Sequence, residues 1–138
     1  MKLRREAAIL KKKALASFRR AARSFNDLDD DGRTTSVLLH LQHAFEMLLK
    51  AGLVEKGVQV FDPGDGKSFG VGKCVNLASE SLKLTASEAG LIRAIDAMRD
   101  EEQHWFAEAD EALLYLHVRA AVTTFDDVLG PCVRGEGS

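Results

Sequence analysis

Between Leu91 and Leu129 the chain contains neither glycine nor proline. A run of about 40 residues without either is helical in character, since turns and sheet edges are punctuated by those two residues. The other end reads the same way. Leu3, Ala7, Leu10, Ala14, Leu15, Phe18, Ala22 and Phe25 recur at three- and four-residue steps, which predicts an amphipathic helix over residues 2–25. Val37, Leu38, Leu41, Ala44, Phe45, Leu48 and Leu49 predict a second helix over 33–56. An i,i+4 pair, Glu46 and Lys50, supports it, and Gly57 ends it.

The middle of the chain is less regular. Val58–Asp62 reads as a short strand and Pro63-Gly64-Asp65-Gly66 as a turn. Val71, Cys74, Val75, Ala78 and Leu82 mark a third, shorter helix. Thr85-Ala-Ser-Glu88 is a capping box that opens a fourth. A single 40-residue helix is too long for a compact domain of this size, so a break is expected near Arg99–Gln103. The last helix is apolar on two faces: Ala109, Leu113, Leu116 and Ala120 on one, Leu114, Val118, Ala121, Phe125 and Val128 on the other. Gly130-Pro131 is expected to stop it. The fold class that follows is all-α: an antiparallel bundle of four to five helices with a β/turn insert around residues 57–70.

The 138 residues suit a single domain, comprising a basic helix 1–25, a core bundle 33–129 and a short tail 130–138. A hydrophobic content of 46% argues against disorder. No stretch approaches 18 uncharged apolar residues, which predicts no membrane span. Cys74 and Cys132 form no CxxC, and no secretory signal precedes them, so a reduced, cytoplasmic protein is expected. The glycine-rich end, Arg134-Gly-Glu-Gly-Ser138, is compatible with a piece of a longer protein, such as a dimerising module of a larger assembly.

Charge is unevenly placed. Residues 1–25 carry nine basic residues against Glu6 alone, a net +8, and the remainder carries −10. Lys11, Lys12 and Arg19 in this helix are candidates for holding an anionic partner such as RNA. The competing reading is a solvated helix face balanced by the acidic remainder.

Several motifs fail on inspection. Asp27-Leu-Asp29-Asp-Asp31-Gly32 copies the start of a calcium-binding loop, but position 12 is Leu38 rather than a bidentate Glu. It reads instead as an acidic turn with an Asp cap for the next helix. Gly64-Asp65-Gly66-Lys67-Ser68 ends like a phosphate-binding loop, yet Phe61 stands where the first glycine is needed. Lys67 keeps a weaker candidacy for contacting phosphate. His40 and His43 lie three apart on the second helix, but Glu46, three residues after His43, is the one acidic neighbour within a turn, so partly buried or surface histidines are the better reading. No metal and no cofactor is implied.

Arg99-Asp100-Glu101-Glu102-Gln103-His104 pairs a permanent cation with a group that titrates near neutrality. Such a pair suits metal-independent RNA cleavage: Arg holds two phosphate oxygens while His moves a proton to or from ribose or leaving oxygen. Arg33 and His40 satisfy a similar spacing, but Arg33 leads into a packed helix.

The segment Arg99–His104 resembles the motif of the HEPN ribonucleases. His43-Ala-Phe-Glu-Met-Leu-Leu-Lys50-Ala-Gly looks like the second helix of that family. Gly66-Lys67-Ser68 through Cys74-Val-Asn-Leu resembles an uncharacterised subgroup with an insert between the second and third helices. The resemblance spans about residues 33–118. Asp100 stands where many active members have Asn, and Trp105-Phe106 follow the His where some members carry a Tyr modified by an antitoxin.

The resemblance implies a homodimeric endoribonuclease of toxin or antiphage type, with Arg99 and His104 catalytic, Asp100 supporting, and two Arg–His pairs lining one cleft. A cognate antitoxin or regulatory domain is an implied partner. The alternative is a non-catalytic bundle of the same type that binds protein or nucleotide, its motif being ringed by Asp96, Asp100, Glu101 and Glu102.

Overall fold

The computed structural model describes residues 2–26, 32–105 and 111–133, with side chains over 5–26, 32–101 and 115–129. Among the described residues the fold is all-helical: α1 (Lys2–Phe25), α2 (Arg33–Glu55), α3 (Val71–Ser81), α4 (Ala86–Trp105) and α5 (Glu111–Val133). The acidic turn 27–31 lies outside them.

α2 is the hub, packing on α1, α3, α4 and α5. Its Val37, Leu38, Leu41, Phe45, Leu48, Leu49 and Leu53 are fully buried. By length and hydropathy α2 is apolar enough to cross a membrane, which corrects the expectation that no segment qualifies. Most of it is enclosed by the rest of the bundle, as the core helix of a water-exposed domain is.

Specific contacts set the directions. Lys11, early in α1, pairs with Glu55 at the end of α2, and Ser24 meets Ser36 at the other end, 2.6 Å between hydroxyls. Gln42 of α2 donates to Asp96 of α4, and Arg93 of α4 donates to Asn76 of α3 at 2.6 Å. α5 closes the bundle through Phe125, which stacks on Phe18 and meets Phe45 edge-on.

Helix ends show local chemistry at work. Gly57 at φ +76° closes α2: its N–H donates to Val54 O and that of Val58 to Leu53 O, satisfying two terminal carbonyls. Thr85 and Glu88 form the anticipated reciprocal cap, at 3.1 and 2.8 Å. The N-cap of α2 is Gly32 at φ +70° with no side-chain cap, rather than an aspartate.

Three expectations need adjustment. The long run does divide into two helices, but α4 continues through Arg99–Gln103 and ends at Trp105, just past the cluster. Arg, Glu and Gln are good helix formers, and no residue there disrupts the ladder. α5 continues through Gly130-Pro131 to Val133. Glycine before proline lacks the Cβ that normally forbids helical geometry at that position. The strand at Val58–Asp62 shrinks to one bridge, Phe61 opposite Ser68, in a hairpin held by Asp62 N–H to Lys67 O and Phe69 N–H to Val60 O.

Candidate active site

Arg99 sits half-buried near the end of α4, with Asp100 exposed beside it. A structural role would tie Arg99 to Asp96 or to Glu102; the Asp96 carboxylate accepts from Gln42 Nε2, and the Glu102 side chain lies outside the described ones. Among the described residues no ion pair or hydrogen bond engages the Arg99 guanidinium. A partly desolvated guanidinium can hold an anion through paired N–H donors.

His104 belongs to the last turn of α4, and its side chain lies outside the described ones. The helix constrains it nonetheless. A five-residue step along a continuous α-helix turns by about 140° and rises about 7.5 Å. Positions 99 and 104 therefore occupy different faces of α4. Both positions lie within the continuous helix Ala86–Trp105.

The basic candidates divide. Lys11 is committed to Glu55. Lys12 and Arg19 are exposed on one face of α1, seven residues apart. Among the described residues α1 and α4 make no close backbone approach, and α2 packs on both. Lys67 is exposed on the hairpin that follows the end of α2, and Arg99 is half-buried near the end of α4, one turn past the Asp96–Gln42 contact.

The hairpin is not a phosphate loop. Asp62 Oδ1 accepts from Gly64 N–H at 2.7 Å, and Asp65 Oδ1 from Lys67 N–H at 2.9 Å. Carboxylates of the loop itself take up amides that a phosphate would need.

His40 and His43 diverge. His40 is half-buried and donates Nδ1–H to the Ser36 carbonyl at 2.8 Å, while His43 is exposed. Among the described residues no group of His, Cys, Asp and Glu is placed to hold a metal.

The sequence showed Glu46–Lys50 only as an i,i+4 pair supporting α2, and the polar cluster around it was missed. Lys50 is buried, donating to Glu46 at 3.0 Å and to Ser68 of the hairpin at 3.2 Å. Cys74 is buried nearby. Burial pushes its thiol up to about 11, opposed by Lys50 and reinforced by Glu46. This cluster anchors the insert to the bundle; a thiol held neutral is a poor nucleophile. Compared with protein-family models, curated proteins and solved structures, the chain matches none.

Proposed function

We propose that the chain is a metal-independent endoribonuclease built as an antiparallel bundle of HEPN type and acting as a homodimer, with Arg99 and His104 as its catalytic residues. The observation that carries the reading is Arg99: half-buried, unpaired among the described residues, and one short step from a titratable histidine.

The separation of positions 99 and 104 around α4 supports a composite site, in which Arg99 of one protomer works with His104 of the other. Arg99 stabilises charge on the phosphorane, and the histidine transfers the proton. The exposed face of α5 supplies a dimer contact. Tyr115, Leu116 and Val122 are 49–59% exposed there, and Ala120 lies between them. Tyr115 rests against Phe25 at the end of α1. Lys12 and Arg19 add long-range attraction for RNA, and Asp100 supports Arg99.

The test is RNA cleavage in EDTA, with product ends analysed, for wild type, Arg99→Ala, His104→Ala and a mixture of the two variants after subunit exchange. Each variant is expected to be inactive, and the mixture to recover part of the activity with 2′,3′-cyclic phosphate ends. Wild-type rates in both single variants would refute the assignment. Two inactive variants that fail to complement would refute the shared site.

A further inference from the structure

An apolar groove of about 370 Å³ runs between α1 and the segment that follows α2. Its walls are Ile9 and Leu10 on one side, Val58, Val60 and Phe61 on the other, with Val54 contributing from α2. Ile9 and Phe61 are half exposed, 50% and 49%, although both are large hydrophobes. Two such residues facing one groove form an apolar surface that no described residue covers.

The second wall is also a backbone edge. In the hairpin, Val60 O and Asp62 N–H bond inward to the Lys67–Phe69 strand. Strand alternation then directs the main-chain groups of Gln59 and Phe61 outward. Among the described residues the N–H groups of Gln59 and Phe61 donate to no protein acceptor. The Phe61 carbonyl is met by the side chain of Gln59, at 2.9 Å, a contact an incoming strand can replace.

Charge selects the visitor. Arg5, one turn before Ile9, and Lys12 and Lys13, one turn after, are exposed on the helix that forms the first wall. Glu6, which also lines the groove, is the one acid among the first 25 residues. Copies of α1 repel each other at +8, which disfavours a second chain docking through this helix.

We infer that this groove binds an extended, acidic peptide segment of a partner protein, which adds a strand to the Gln59–Phe61 edge and sets alternate apolar side chains against Ile9 and Phe61. The inference does not rest on the ribonuclease reading: neither Arg99 nor His104 enters it, and Lys12 is the one residue that the two share.

The probe is a short fluorescein-labelled peptide with valine at alternate positions and aspartate or glutamate between them, followed by fluorescence anisotropy on the full chain. Binding is expected to weaken about tenfold in Ile9→Asp and in Phe61→Asp, and to weaken as salt rises. Both residues are half exposed, so helical circular dichroism and Tm should stay near wild type. The same peptide N-methylated at its pairing amides should also lose about tenfold, as should a version with lysine at the acidic positions. No binding by the parent peptide, equal binding by the N-methylated or lysine versions, or unchanged binding by both variants would overturn the proposal. Self-association of the free chain that Phe61→Asp abolishes would assign the groove to a second copy and overturn it as well.

Discussion

Phe18 and Phe125 stack with ring centroids 4.3 Å apart and planes inclined by 21°. Residues more than a hundred positions apart thereby join the first and last helices, and the edge of Phe45 completes the contact at 5.7 Å. Phe125 is 3% exposed. Phe125→Ala should destabilise the fold by about 3–5 kcal/mol, with Phe125→Leu costing less. Chemical denaturation measures both. A loss under 1 kcal/mol for the alanine variant would show that α5 contributes little to the cooperative unit.

Lys50 should behave as a buried ion whose partners matter more than its charge. Glu46→Gln removes the counter-charge and leaves the ammonium with neutral acceptors alone, an amide oxygen and Ser68, and should cost about 2–3 kcal/mol. Ser68→Ala removes a neutral hydrogen bond and should cost about 1 kcal/mol. Amide exchange in residues 58–69 should rise in both variants, since that contact pins the hairpin.

Cys74 links stability to alkaline pH. Its folded pKa is raised to about 11 from an ordinary value near 9, so the unfolded chain loses this proton first. Stability is therefore complete below pH 9 and falls through the window from 9 to 11, by about 2–3 kcal/mol in total. Cys74→Ala should flatten that decline relative to wild type. In a Cys132→Ser background, alkylation of Cys74 at pH 8 should await denaturant.

Much of the helical frame was legible because periodicity and caps are local. The bounds of α1 coincide with its apolar stripe, and Thr85 and Glu88 marked the start of α4 through their own side chains. What escaped depended on distant partners. Ile9 falls off the stripe of α1, and its meaning appears only when Phe61 comes beside it. Lys50 read only as one member of an i,i+4 pair until the hairpin covered it. Arg99 and His104 were legible as a motif, whereas their angular separation depends on α4 remaining unbroken, which no single residue announces.

Lys83 adopts φ +56° just after α3. A side chain in the left-handed region costs about 1–2 kcal/mol, while glycine there carries a penalty of about 0.5–1 in lost freedom. Lys83→Gly should thus leave stability unchanged or raise it by up to about 1 kcal/mol. Lys83→Val, branched at Cβ, should lower it by at least about 1 kcal/mol. Melting curves of the pair provide the comparison.

RNA binding and turnover should separate. Arg99→Ala and His104→Ala are expected to lower cleavage by about 10²- to 10⁴-fold. Arg19→Ala and Lys12→Ala should weaken RNA binding modestly and each reduce the slope of log affinity against log salt by about 1. A slope that neither substitution changes would remove α1 from the RNA-binding surface.

The hairpin edge beside α1 also bears on how the molecule survives at high concentration. Open strands with apolar neighbours invite runaway pairing into fibres. Here the pairing-competent stretch is very short: Gln59 guards its own neighbour's carbonyl, and Pro63, which has no N–H to offer, closes the far end. Such an edge has room for one guest and does not extend into a lattice of its own kind.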